Sequence, residues 1–185
     1  TGSHGKTTTT SLLAAIFSQN CLDPTIIKRG VLNSVKNSAK RGKSDLFILE
    51  SDESDWSFIH VPLTYSIVTN IDREHMDFYK SLSDLKYLFT KFINKVPSFG
   101  KSFICIDDKD NIELLKKLKI KNYYTYGTTP KSQFYTRNIK QLKKFSEYDL
   151  SIKLPGKKNI SINKIKIPLL GVHNIRNSTA AAAVA

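Results

Sequence analysis

Residues 1–11 read Thr1-Gly2-Ser3-His4-Gly5-Lys6-Thr7-Thr8-Thr9-Thr10-Ser11, and Leu12, Leu13, Ile16 and Phe17 follow at helical spacing. A glycine-bounded loop that runs straight into a helix is a phosphate-binding arrangement. Glycines let backbone N–H groups wrap an anion, and the helix N-terminus adds its dipole. Lys6 reaches the outer phosphates, and the Thr7 hydroxyl suits magnesium. The spacing predicts a helix over about residues 5–19, broken by Asp23 and Pro24.

Working outward, four short apolar runs look like buried parallel strands: 45–49, 65–69, 102–106 and 122–126. Two helical patterns lie between them. Leu82, Leu85, Leu88, Phe89, Phe92, Ile93 and Val96 make one stripe, closed by Pro97 and Gly100. Ile112, Leu115 and Leu118 make a shorter one. This alternation predicts an α/β domain: a phosphate-loop-type, mostly parallel sheet flanked by helices. Residues 133–170 differ. Alternating stretches at 159–163 and 164–168, with a turn signal at Pro155-Gly156, predict a small appended antiparallel sheet.

A phosphate loop normally follows a buried strand, and none stands before Thr1. The run from Ser178 to Ala185 reads as a closely packed helix without a C-cap. The expectation is an internal piece of a longer protein, residues 1–185 forming one domain whose first strand is missing.

The chain has 185 residues and a formal charge of +13. That surplus raises the possibility of a nucleic-acid partner. It is concentrated, however: residues 101–170 hold 16 basic and 6 acidic side chains. Neither zinc-ligand spacing nor an aromatic RNA-binding motif accompanies it, so no nucleic-acid partner is expected. No apolar run approaches the roughly 20 residues of a membrane helix, so no membrane insertion is expected. Two cysteines, Cys21 and Cys105, suit a reducing cytoplasm.

Each of the inner strand runs ends in a polar residue: Glu50, then Asn70 and Asp72, then Asp107. Ligands of open α/β sheets bind beyond the strand carboxyl ends. The run Glu50-Ser51-Asp52-Glu53-Ser54-Asp55 holds four carboxylates in six residues and suits a hard cation, with Glu50 the leading ligand. His75 stands among acids after the 65–69 run. Asn174 and Asn177, three apart at a helix start, can hydrogen-bond a base or ribose or simply cap the helix.

Taken together, TGSHGKTTTTS (1–11), ESDESDWSF (50–58), TNIDREHMDFY (69–79) and GVHNIRNSTAAAAVA (171–185) resemble the central ATP-binding domain of the Mur ligases. The spelling is most similar to the members that join L-alanine to UDP-N-acetylmuramate. Such enzymes convert ATP to ADP and phosphate through an acyl phosphate, which the amino group then attacks. The resemblance implies that Gly2, Ser3, His4, Gly5, Lys6, Thr7 and Thr8 form the ATP loop, with Lys6 on the β/γ-phosphates. It implies that Thr7 and Glu50 ligate Mg2+, and that His75 helps hold a second ion. Asn174 and Asn177 would contact the adenine. A uridine-nucleotide domain before the chain and an amino-acid domain after it would complete the enzyme in the bacterial cytoplasm, and the chain alone would not complete the reaction. Departures are Lys28-Arg29-Gly30 in place of Asn-Gly-Gly, Ser51 in place of Ala, and Thr90 where some relatives carry a carbamylated lysine. A murein-tripeptide ligase is the near alternative; those tend to have an aromatic residue at the position of Ser54. Folylpolyglutamate synthase and a plain phosphate-loop NTPase are more distant ones.

Overall fold

A computed structural model describes residues 1–28, 38–54, 56–73, 79, 81–118 and 122–185. The first helix, α1 (Lys6–Gln19), starts directly from the loop, with Gly5 at its N-cap in the left-handed region (φ 84°). Three short strands follow: β1 (Thr25–Ile27), β2 (Ala39–Lys40) and β3 (Phe47–Leu49). They form a sheet of order β2-β1-β3, in which β1 and β3 are parallel.

The main sheet has six strands in the order β4-β5-β6-β7-β8-β9. Its parallel part is β4 (Tyr65–Val68), β5 (Lys101–Cys105), β6 (Tyr123–Gly127) and β7 (Phe134–Gln141). Two helices, α2 (Leu82–Asn94) and α3 (Lys109–Lys117), are the crossovers between β4, β5 and β6. The antiparallel part is the meander from β7 to β8 (Ser146–Ile152) and β9 (Ile160–Ile167). The last helix is α4 (Val172–Val184). The α/β class and the mostly parallel sheet are as the alternation predicts. The antiparallel segment is appended to the main sheet edge-on through β7, as the alternating stretches predict.

The stretches 159–163 and 164–168 prove to be one strand, not two. Lys164 adopts φ 57° within it, and its amide donates to Asp149 Oδ1 at 2.8 Å. On the other flank Asn138, at φ 52°, donates its side-chain amide to Asp149 Oδ2 at 2.7 Å. One carboxylate thus pins irregularities in both neighbouring strands, where the pairing registers shift. Such bulges bend a strand and break its alternation, which is why the sequence reads as two pieces.

Helices cover both faces of the main sheet. On one face, α2 and α3 bury Leu85, Phe89, Phe92 and Leu114 against Phe58, Val68 and Ile104. Helix α3 differs from the sequence stripe: Leu114 is fully buried, whereas Ile112 is 41% exposed. On the other face, α4 lays Ile175 and Ala180 on Phe103, Cys105, Tyr126 and Tyr148. Ala181 meets Leu13 and Ala14 of α1. Alanines let these backbones approach closely, and both Ala180 and Ala181 have no exposed surface. Ala180→Leu should therefore cost about 3 kcal/mol through overpacking, read as a lowered urea midpoint.

Thr1 lies along the outer edge of β4 in parallel fashion. Its amino group donates to the Ile67 carbonyl at 2.9 Å, and Thr69 N–H donates to the Thr1 carbonyl at 3.2 Å. Beyond it, a groove of about 700 Å³ runs between the β3 side (Phe47, Ile48, Leu49) and the β4 side (Tyr65, Ser66, Ile67). No helix among the described residues is long and apolar enough to cross a membrane.

Candidate active site

The loop of residues 2–5 is held by the end of β4. Ser3 N–H donates to the Asn70 carbonyl at 3.0 Å, and His4 N–H to Asn70 Oδ1 at 2.8 Å. Thr69 Oγ1 and Asn70 Nδ2 both donate to the His4 carbonyl, at 2.7 and 3.0 Å. Ser3 Oγ accepts from Asp72 N–H at 2.8 Å. Gly2 has φ 129°, and a Cβ there would lie 2.2 Å from Thr69 Oγ1. The sequence needs glycine at that point because the loop backbone rests on β4. The first helical bond runs from Thr9 N–H to the Gly5 carbonyl, so the amides of Lys6, Thr7 and Thr8 have no acceptor within the helix. They point past the helix start, where an anion binds.

Lys6 meets the acidic run, although Glu53 holds it more closely than Glu50 does. Its Nζ lies 3.0 Å from both Glu53 carboxylate oxygens and 3.6 Å from Asp52 Oδ1. The Glu53 side chain is 1% exposed, and its backbone carbonyl accepts from the Tyr79 hydroxyl. Nothing in the spacing of four nearby carboxylates distinguishes Glu53 as the one that turns inward.

Glu50 instead faces the next residue of the loop: the Thr7 hydroxyl donates to Glu50 Oε1 at 2.7 Å. A hydroxyl and a carboxylate make an all-oxygen pair at the mouth of a phosphate loop. That donor chemistry fits magnesium, which takes its remaining ligands from water and phosphate. Among the described residues, no group of three His, Cys, Asp or Glu side chains converges as a metal centre. His75 lies outside the described residues.

Beside the loop opens a cavity of about 360 Å³, lined by His4, Gly5, Asn70, Asp108, Tyr126 and Asn177 among others. The start of α4 reaches it because Gly5 has no side chain: a Cβ there would lie 2.5 Å from Asn177 Oδ1. Asn177 is buried against the loop. Asn174 is half-buried; its amide donates to the Leu170 carbonyl at 2.7 Å, leaving its oxygen toward Asn177 at 3.5 Å. The structure therefore brings together Gly2, Ser3, His4, Gly5, Lys6, Thr7, Glu50 and Asn177. Asn174 is their neighbour in the helix but spends its amide on the turn before it.

The cavity floor is apolar, and burial pushes the Cys105 thiol up to about 11. Burial also raises Asp108, whose carboxylate caps α3 by accepting from Asn111 N–H at 2.8 Å. Burial acts the same way on Asp107. There, hydrogen bonds from Thr128 and Thr129, together with Arg176, outweigh it and hold the carboxyl below the usual range.

Of the three departures from the family pattern, Ser51 is buried within the acidic run, and Lys28 and Thr90, at the other two, lie off the loop. Lys28 is buried and donates to Ser11 Oγ at 2.9 Å, while Arg29 and Gly30 lie outside the described residues. Thr90 is inside α2 and donates to the Lys86 carbonyl at 2.9 Å.

Comparison with known proteins agrees with this geometry. The model of the Mur ligase middle domain matches residues 1–185. The chain is 78% identical over its whole length to a UDP-N-acetylmuramate–L-alanine ligase of Pelagibacter ubique, of which it covers 40%. It is 38% identical to the enzyme of that name from Syntrophobacter fumaroxidans, covering 38% of it. The chain thus spans about two fifths of the length of these relatives. Among solved structures, the UDP-N-acetylmuramate-alanine ligase of Thermotoga maritima superposes with a TM-score of 0.77 at 23% identity, over 98% of this chain and 39% of that one. A Neisserial ligase for UDP-N-acetylmuramate and the L-alanyl-γ-D-glutamyl-meso-diaminopimelate tripeptide gives 0.82 at 24% identity, over 99% of this chain and 58% of that one. At that identity these two likenesses speak for the fold, and with the family match they lead to one conclusion: the chain belongs to the Mur ligase family, as its middle domain.

Proposed function

We propose that the chain is the ATP-binding domain of a cytoplasmic ligase that joins L-alanine to UDP-N-acetylmuramate in the synthesis of cell-wall precursors. The observation that carries this reading is the 78% identity, unbroken over 185 residues, to a relative with that activity in its name. The site chemistry supports it. The amides of the loop and of the first turn of α1 cradle the phosphates of ATP. Lys6 leaves Glu53 for the β/γ-phosphates and draws off charge as the γ-phosphoryl group transfers. The sugar carboxylate attacks that group and becomes an acyl phosphate, with ADP as leaving group. The alanine amine then attacks the acyl carbon, and phosphate departs.

ATP and the sugar acid are both anionic, so their approach depends on cations. Thr7 and Glu50 would hold the magnesium that, when bound, neutralises phosphate charge. His75 would help hold the second ion that the family resemblance implies. Asn174 and Asn177 serve the adenine end of the site.

The uridine-nucleotide and amino-acid sites belong to domains on either side of this one.

In the full-length enzyme, ADP release should require both UDP-N-acetylmuramate and L-alanine. If the tripeptide supports it in place of L-alanine, the murein-tripeptide reading replaces this one. Residues 1–185 alone should release no ADP in response to L-alanine; release would refute the proposed division of labour.

A further inference from the structure

Arg176 stands between Asn174 and Asn177 on α4, and a single contact aims it. Its Nε donates to Asp107 Oδ2 at 2.7 Å. No described group accepts from its two terminal amino groups, and the side chain is 40% exposed at the cavity rim.

Asp107 is built to hold that aim. It extends from the end of β5 with its side chain 4% exposed. Oδ2 also accepts from Thr128 N–H and Oγ1, both at 2.8 Å. Oδ1 accepts from Thr129 N–H at 3.0 Å and Oγ1 at 2.7 Å. The turn after β6 closes this tightly only because Gly127 precedes it: at φ 151°, a Cβ there would lie 2.6 Å from Asp107 Oδ1. With both oxygens so occupied, Asp107 has little capacity left for a ligand. Arg176 is the member of the cluster with donors to spare.

The polarity of the cavity says which part of a nucleotide lies there. At one end are the phosphate loop and the helix N-terminus, which favour phosphate. On the side of β5 and β6 are Asp107, already paired with Arg176, and Asp108, whose own carboxylate caps the N-terminus of α3, above a floor of Cys105 and Tyr126. A nucleotide with phosphates on the loop therefore turns its nucleoside toward Arg176.

We propose that Arg176 is a nucleotide-contacting residue whose terminal amino groups donate to ribose oxygens or ring nitrogens of the nucleoside, and that Asp107 is its positioning residue. This rests on the ATP reading above.

The test uses the full-length enzyme. Arg176→Gln should raise the KM for ATP about tenfold, the loss of a charged hydrogen bond. The kcat, and the KM for UDP-N-acetylmuramate and for L-alanine, should stay within about twofold. Binding of inorganic tripolyphosphate, which has no nucleoside, should not change. Asp107→Asn should raise the ATP KM in the same direction. The double variant should be no worse than Arg176→Gln alone, because the two act as a unit.

An unchanged ATP KM in Arg176→Gln overturns the proposal, as does an equal loss of tripolyphosphate binding. If Asp107→Asn fails to fold, Arg176→Gln alone decides, since its side chain is largely outside the core. Failure of the ATP reading itself looks different: the unmodified enzyme would then bind neither ATP nor tripolyphosphate.

Discussion

Lys6→Ala in the full-length enzyme should lower kcat by about 10²–10³-fold, the usual size for loss of a positioned cation or donor at a developing charge. The same substitution should also destabilise the unliganded protein. Glu53, 1% exposed, is bound at both oxygens by Lys6. Removing the ammonium leaves a buried carboxylate without its principal counter-charge, which costs about 2–3 kcal/mol. The double variant Lys6→Ala/Glu53→Gln separates the effects. Neutralising Glu53 should recover most of the melting temperature and none of the turnover. Recovery of turnover would show that Lys6 serves the fold and not the phosphoryl group. On the proposed ATP reading the contact also implies exchange: Glu53 holds the ammonium that the β/γ-phosphates would take, so nucleotide binding would include breaking that pair.

Gly2→Ala should be the most damaging single methyl. It would bring Cβ to 2.2 Å from Thr69 Oγ1, 2.9 Å from the Asn70 carbonyl oxygen and 3.0 Å from the Asn70 amide nitrogen, on a residue with φ 129°. Two of those neighbours are backbone, so rotamer changes cannot relieve the overlap. Backbone strain of about 1–3 kcal/mol adds to overpacking of similar size, which for a domain of this length lowers the melting temperature by on the order of 10 °C. Thr69 and Asn70 also hold His4, so the loop itself moves and ATP affinity falls with stability. A Gly2→Ala variant with unchanged melting and ATP affinity would mean that the loop does not rest on β4 as described.

Much of this was legible in the residues because the relevant signals are local. The loop-to-helix passage, the Leu82–Val96 stripe and the apolar runs each specify their element without outside help. What escaped reading depends on distant partners. β1 and β2 are three and two residues long, too short to show a period, and exist by pairing with each other and with β3. Ile112 and Leu114 are equally apolar in sequence; only the position of α2 decides that Leu114 turns inward. In the site, loop glycines and Glu50 announce themselves. Arg176 does not, since its role depends on Asp107, 69 residues away. Glu53 is hidden for another reason: four adjacent carboxylates look alike until one is drawn inside by Lys6.

The contact of α1 with α4 has a bearing on selectivity. The two helices meet through Ala14 and Ala181, and their starts meet through Gly5 and Asn177. Alanines at one place, and at the other a glycine backbone against the Asn177 side chain, leave the separation little side-chain slack. On the proposed ATP reading, the phosphate end and the nucleoside end of the site are thus fixed on a single mount of set span. That mount works as a gauge: on the same reading, a ligand that holds its phosphates nearer to or farther from its nucleoside than a nucleotide does cannot engage both the loop and the far pocket, and no rotamer change makes up the difference.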